Sequence, residues 1–351
     1  VIPARPLILR PEARGYTFPM APPINVPLRA PEFAPGTWVQ GPPVSMGFVR
    51  GAVVLVDFWE STCVNCLRTL PYLKEWHRRY ASRGLVMVGI HTPEFELTAA
   101  PGLVAQAVAA EGIPYPVLLD PERANWQLFA NHYWPAKYLV DAKGYLRYEH
   151  FGEGAYGEAE SWIQRLLEEA GDREPMPDLL APLRPEDGPG AVCFPSTPEL
   201  YLGWHRGRLA SAQGGEGYRP DEEVRHRGQE AIPPGMFAAR GLWYHSAEYL
   251  ESREPGAELE LVCDAAGIHL VAAPEGELEV ELDGGPVPSP LRGADVVERQ
   301  GRTFAAWERP RMVRLIEAPD FARRHLLLRF PRPGTRAYAV SFTSCLHLPE
   351  M

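Results

Sequence analysis

The chain has 351 residues, enough for two domains, and its 45% hydrophobic and 23% charged content predicts a packed globular protein rather than disorder. The formal net charge of −10 speaks against a nucleic-acid binder, which carries a basic face. No apolar run reaches the ~20 residues that cross a bilayer as a helix, and the Pro- and Arg-broken opening VIPARPLILRPEARG has no signal-peptide pattern. The start at Val1 raises the expectation of a processed or trimmed form, with a lost export signal or membrane anchor left open.

Residues 1 to about 30 are Pro-rich, lack hydrophobic period and read as an extended arm. After PEFAPGTWVQGPPVSMGFVRG comes AVVLVDFW (52–59), whose near-continuous apolar character fits a strand buried on both faces. Val64, Leu67, Leu70, Leu73, Trp76 and Tyr80 recur at spacings of three and four, which predicts a helix over about 64–81 with Pro71 kinking it. LVMVGIHT (85–92) is a second buried strand after Gly84. GLVAQAVAAEG (102–112) reads as a helix, PVLLD (116–120) as a short strand and ERANWQLFANH (122–132) as another helix. AKYLVDAKGYLRYEH (136–150) is a hairpin turning at Ala142–Gly144, and EAESWIQRLLEEAG (158–171) is an amphipathic helix stopped by Gly171. Strands alternate with helices, which predicts an α/β domain over 31–171 with a mixed central sheet flanked by helices.

Residues 172–198 are crowded with Pro and acid and read as a linker. Beyond it AELELVCD, AGIHLVAA, GELEVEL, RMVRLIEA, RHLLLRF and RAYAVSFTSCL are period-two strands, separated by the turn-formers DAAG, PEGE, DGGP and PRPGT. No strong helix intervenes. Residues 199–351 are therefore expected to form an all-β domain, an antiparallel β-sandwich or jelly roll.

The five cysteines are Cys63, Cys66, Cys193, Cys263 and Cys345, too few for a disulfide scaffold and odd in number. Cys63 and Cys66 form a CxxC just after the first strong strand. A structural zinc site takes four ligands, and a second pair would have to come from isolated residues such as His77 and His91. As a staple the pair closes a very short loop and gains little chain entropy. A redox centre fits the context best. Cys63 stands at the start of a helix, whose free N–H groups and partial positive charge of about half a unit favour thiolate. Cys63, on the outer end, attacks a substrate disulfide; Cys66, one turn in, resolves the mixed disulfide. Cys193 stands outside any such context. Cys263 and Cys345 fall in separate strands and bridge only if those strands are neighbours; otherwise they are buried thiols.

VVLVDFW, then CVNC, then a helix carrying Pro71, together resemble the thioredoxin superfamily. YWPAKYLVDAKG (133–144) resembles the segment in which that superfamily places a cis-proline beside its CxxC. The insertion between the two motifs and the PEFAPGTW lead-in are similar to the TlpA/ResA-like periplasmic thioredoxins. CVNCLRTLPYLKEWHRRYASRGLVMVGIHTPEFE, IPYPVLLD and HFGEG bring the resemblance nearest to the extracytoplasmic part of DipZ-type proteins. There a thioredoxin-like domain is followed by a carbohydrate-binding-module-like β-sandwich, which TPELYLG (197–203) and RAYAVSFTSC resemble. The resemblance implies a thiol–disulfide oxidoreductase outside the cytoplasm, in the periplasm or cell envelope. It acts on protein disulfides, with no metal and no cofactor beyond the Cys63–Cys66 pair. A membrane electron-transfer donor and a glycan on the β-sandwich are further partners that it suggests.

The resemblance also assigns residues. Asp57, on the strand face of Leu55 and Trp59, corresponds to the buried Asp that takes the proton of the second cysteine. Pro135 is the candidate cis-proline, turning the amide and carbonyl of Trp134 towards a substrate chain. Val64 and Asn65 between the cysteines, and Thr62 before them, depart from the thioredoxin pattern. Glu60 adds a negative charge that would oppose thiolate at Cys63. The direction of electron flow therefore stays open, with a lean towards reduction. His91 and Glu94 follow a strand at the sheet edge where sites gather and are candidates to shape the pocket beside Glu60 and Thr62, although a His so placed is more often a satisfied structural residue. A peroxidase of the peroxiredoxin type needs Thr three residues before its cysteine, where this chain has Glu60. The alternative from another class is a glycan- or partner-binding protein with a redox-silent scaffold. It would use Trp204, Trp243 and Trp307 as an exposed stacking set.

Overall fold

The structure, a computed structural model, describes residues 28–210 and 217–347. The expected Pro-rich arm up to residue 27 lies outside the described residues; its end rides on the hairpin turn, where Ala30 N–H donates to the Gly144 carbonyl at 3.0 Å.

In the first half, strands β1 (Trp38–Gln40), β2 (Val53–Trp59), β3 (Leu85–His91), β4 (Val117–Leu119), β5 (Ala136–Val140) and β6 (Leu146–Phe151) form one mixed sheet in the order β1-β4-β3-β2-β5-β6. Helices α1 (Val64–Tyr80), α2 (Pro101–Glu111), α3 (Ala124–Leu128) and α4 (Tyr156–Ala170) alternate with the strands. All seven residues of β2 are buried, as its apolar run demands of a strand with neighbours on both edges and cores on both faces. It runs parallel to β3 and antiparallel to β5. Strand alternation divides its side chains. Leu55 and Trp59 enter the core with α1 and α4; Val54, Val56 and Phe58 enter the opposite core with Phe33 and Phe129. The sequence pattern does not signal the edge strand β1. α3 is shorter than its periodicity predicts, since Arg123 before it and Ala130 after it have positive φ.

The second half is β7 (Ala191–Cys193), β8 (Leu200–Tyr201), β9 (Glu223–Arg227), β10 (Phe237–His245), β11 (Leu250–Ser252), β12 (Ala257–Ala273), β13 (Gly276–Leu282), β14 (Gly285–Pro286), β15 (Val296–Arg299), β16 (Arg302–Trp307), β17 (Arg311–Phe330), β18 (Arg336–Thr343) and β19 (Cys345–His347). β7 and β19 pair with each other; the other eleven form one antiparallel network. One expected turn is absent: DAAG lies inside β12. RMVRLIEA and RHLLLRF, read as separate strands, are one strand, β17. The β12–β17 register slips between Ala265 and Gly267, so a bulge bends the pair where a turn was expected. Either side of that bend β12 has different second neighbours, β10 before it and β18 after it, which folds the network over one core. Trp243 and Trp307 are buried, at 0% and 3% exposure, and Trp204 is half-buried, so these three make no exposed stacking set.

The cysteine pairing corrects one expectation. Cys345 is bonded to Cys193, directly opposite it across β7 and β19, not to Cys263. Cys263 is free and 1% exposed in the core, where burial pushes its thiol up to about 12. The Cys193–Cys345 bridge spans 152 residues and ties the linker to the last strand. Cys345→Ser is therefore expected to cost about 2–5 kcal/mol. It should appear as a lower thermal midpoint under non-reducing conditions, and an unchanged midpoint would show that the bridge stabilises nothing.

The two halves pack together. Phe95, after β3, is buried against Val271, Ala273, Tyr338 and Ala339 of the second half. Glu94 accepts hydrogen bonds from Tyr201 Oη at 2.8 Å and Arg206 Nη1 at 2.9 Å. Glu94, expected to help shape the pocket, is instead a clamp between domains.

Candidate redox centre

β2 delivers the chain to the sheet edge at Trp59, and the loop 60–62 turns it into α1. Cys63 is the N-cap of α1, and the Cys66 N–H donates to its Sγ at 3.2 Å. Cys63 and Cys66 are disulfide-bonded, with Cα atoms 5.3 Å apart. Cys66 is 1% exposed, whereas Cys63 is half-buried. The outer sulfur thus reaches solvent and the inner one does not. No acidic residue stands in the first turn of α1, so the helix terminus favours thiolate at Cys63 without local opposition there.

The residues expected around the pair divide into three groups. Glu60, Thr62 and His91 are all buried, at 0%, 3% and 1% exposure, and brace the loop from behind. Glu60 Oε2 accepts from the Thr62 amide and hydroxyl, both at 2.6 Å. His91 Nε2 accepts from the Ser61 N–H at 3.2 Å, and burial lowers its pKa to about 3, so the ring is neutral. Burial also raises Glu60 to about 7, so its charge opposes thiolate less below neutral pH. The residue of this loop that faces open space is Ser61.

Trp134 and Pro135 are joined by a cis peptide bond. Trp134 packs against the same core cluster as Cys63 and Leu67. Among the described residues its amide and carbonyl have no hydrogen-bond partner, while the Pro135 carbonyl accepts from Gly152 N–H at 2.7 Å.

Asp57 is 1% exposed, on the α1 side of β2, and neither carboxylate oxygen has a hydrogen-bond partner among the described residues. Burial raises its pKa to about 7, against a smaller lowering by Lys137. Lys137 is the residue beside Asp57 that sequence reasoning misses. It lies directly opposite Asp57 across β2 and β5, is 1% exposed, and donates to the Gly152 carbonyl at 3.2 Å. Burial lowers its pKa, and Asp57 pulls it back up. A signal exists: a charged residue inside the apolar run PAKYLV, in a chain with only three lysines. The pairing itself depends on a strand register that one sequence does not disclose. Together the elements hold one sulfur half-exposed at the helix N-cap, the other buried beneath it, and a buried carboxylate near neutrality. Among the described residues no cluster of three or more metal-ligating side chains occurs.

Residues 27–161 match the family model described as Redoxin, and residues 197–343 that described as Thioredoxin like C-terminal domain. Protein DipZ of Mycobacterium tuberculosis is 35% identical over 263 residues, which cover 73% of this chain and 36% of DipZ. The chain thus spans about a third of the length of that relative. Thiol-disulfide oxidoreductase YkuV of Bacillus subtilis is 28% identical over 132 residues, 38% of this chain and 88% of YkuV. A crystal structure of a thioredoxin-family thiol:disulfide interchange protein from Chlorobium tepidum is 24% identical, with a TM-score of 0.36, and covers 40% of this chain and 97% of its own. The chain thus joins a region that matches the Redoxin family, in a thioredoxin-like fold, to a region that matches the thioredoxin-like C-terminal family.

Proposed function

We propose that this protein is a thiol–disulfide oxidoreductase that reduces disulfides in extracytoplasmic proteins through Cys63 and Cys66. The observation that carries the reading is the CxxC at the N-terminus of α1, with Cys63 as the cap and Cys66 buried beneath it. The Cys63 thiolate attacks one sulfur of a substrate disulfide; that S–S bond breaks, and the leaving thiolate takes a proton from water. The Cys66 thiol passes its proton to the Asp57 carboxylate, and its thiolate attacks Cys63 Sγ. The second substrate thiolate departs. Two electrons have moved from the dithiol to the substrate, and Cys63–Cys66 is the disulfide seen in the structure. A dithiol donor, supplied by a membrane electron-transfer partner, must reduce it before the next cycle. The Trp134 amide and carbonyl, without a hydrogen-bond partner among the described residues, pair in this reading with an extended substrate strand beside the cis-proline. YkuV carries the name thiol-disulfide oxidoreductase, which supports the same reading. The glycan-binding alternative loses support from the burial of Trp243 and Trp307.

The test is the reduction potential of Cys63–Cys66, by equilibration against a dithiothreitol series with mass-spectrometric readout. The expected value lies near the about −270 mV of a thioredoxin-type reductant. A value near about −120 mV would make the protein an oxidant. A pair that never equilibrates would leave the domain a redox-silent scaffold.

A further inference from the structure

A space between the two domains opens beside the loop and helix that carry the CxxC. A cavity of about 610 Å³ has Val64, Leu67, Arg68 and Pro71 of α1 on one wall. The other wall includes His269 and Arg314, from the outward face of β12 and β17. A smaller hollow of about 210 Å³ shares Leu67 and Arg314 and reaches Ser61, two residues before Cys63. The space therefore begins at the loop before the CxxC and follows α1. This accounts for Leu67, which the helical stripe assigned to the core but which stays half-buried.

His269 is the feature that the fold alone does not explain. Its neighbours Ile268 and Leu270 enter the core of the second domain, so strand alternation turns His269 towards the first. It is 3% exposed, yet neither ring nitrogen has a hydrogen-bond partner among the described residues. Buried polar groups are seldom left so, and an orphaned ring lining a cavity points to a missing partner. Arg314 stands directly opposite His269 on β17, is exposed, and makes no ion pair among the described residues. Arg68 faces the same cavity from α1, held by Glu153 and Glu186 at 2.8 and 3.3 Å. Burial and both guanidiniums keep the His269 ring neutral, so it offers one N–H donor. Asp295, the acidic group that acts on His269, is already held by both Arg311 nitrogens and the Arg314 N–H. Glu317 also lines the cavity, three residues beyond Arg314 along β17. Around His269 the donors and positive charges outnumber the free acceptors.

We propose that this cleft takes the polypeptide segment flanking the substrate cysteine, and that His269 and Arg314 bind a carboxylate of that segment. The inference rests on the oxidoreductase reading of Cys63–Cys66. It gives the second domain a task, which is to select acidic substrates. The wall from Val64 to Pro71 is about 10 Å long at about 1.5 Å per residue, room for about three extended residues. The acidic residue is thus expected within about three positions of the cysteine.

The test uses the full chain, reduced beforehand and freed of reductant, and two synthetic peptides. Each carries one cysteine as a mixed disulfide with 2-mercaptoethanol, and they differ only in Glu or Gln two residues from it. Single-turnover rate constants are measured, and S-methylated versions, which cannot exchange, are titrated by fluorescence anisotropy. The Glu peptide is expected to bind and react about tenfold better, the scale of one charge-assisted contact. Arg314→Gln, at an exposed position that the fold tolerates, should bring both ratios towards one; His269→Gln should do the same. Equal behaviour of the two peptides with the unaltered protein, or a preference that survives Arg314→Gln, overturns the proposal. Failure to reduce either peptide or 2-hydroxyethyl disulfide overturns the oxidoreductase reading instead, while the S-methyl titration still reports on the cleft.

Discussion

Cys66→Ser is expected to stop the protein midway, with substrate held on Cys63 as a mixed disulfide, whereas Cys63→Ser should lose turnover by several orders of magnitude. The asymmetry follows from position. Cys63 is half-buried at the helix N-cap, where a thiolate is favoured and a substrate sulfur can approach. Cys66 is 1% exposed, so an external disulfide is not expected to reach it, and the proposed role left to it is the internal one. Without Cys66 the first exchange still runs and nothing displaces the substrate. Non-reducing electrophoresis of the reduced variant, incubated with a disulfide-bearing protein, should show a conjugate that dithiothreitol releases. The double variant should show none. Conjugates formed equally by Cys63→Ser would reverse the two roles, and exchange retained by that variant would sink the assignment.

The parts legible in the sequence are those carried by local pattern. VVLVDFW declares a strand buried on both faces, and the α1 stripe declares a helix behind it, so residue pattern alone places the CxxC at a helix start. Features that depend on long-range register are not legible. The opposition of Asp57 and Lys137 across β2 and β5 is set by the pairing of two strands far apart in the chain. DAAG has the composition of a turn, yet the neighbouring ladder of β17 carries β12 straight through it as a bulge. Phe95 reads as a loop residue and is the plug between domains. Cys193 has no motif of its own; only the pairing of β7 with β19 sets it opposite Cys345. His269, between Ile268 and Leu270, has the pattern of an ordinary strand residue; its significance comes from the second domain turning that face towards α1.

Asp57→Asn is expected to slow the resolving step about a hundredfold, the low end of what a positioned base contributes. The step is measured as release of product from a preformed Cys63 mixed disulfide, which isolates the attack by Cys66. The base form of Asp57 is the carboxylate. Burial holds its pKa at about 7, so the carboxylate is the minor form below that value and the major form above it. The resolving rate should therefore rise as pH increases through about 7 and level off beyond, and the inflection should vanish in Asp57→Asn. Glu60 titrates in the same range, so Glu60→Gln is the control, and it should keep the inflection. Lys137→Met tests the pair from the other side. The Lys137 ammonium favours the Asp57 carboxylate; removing it leaves burial unopposed and moves the Asp57 pKa upward. The inflection should then shift to higher pH; for a shift of about one pKa unit the carboxylate fraction at pH 7 drops from about one half to about one tenth, so the rate there should fall about fivefold. A midpoint unmoved in Lys137→Met would separate the lysine from the proton transfer. It would leave Asp57 working through burial alone, with Lys137 reduced to filling the space between β5 and the Gly152 turn.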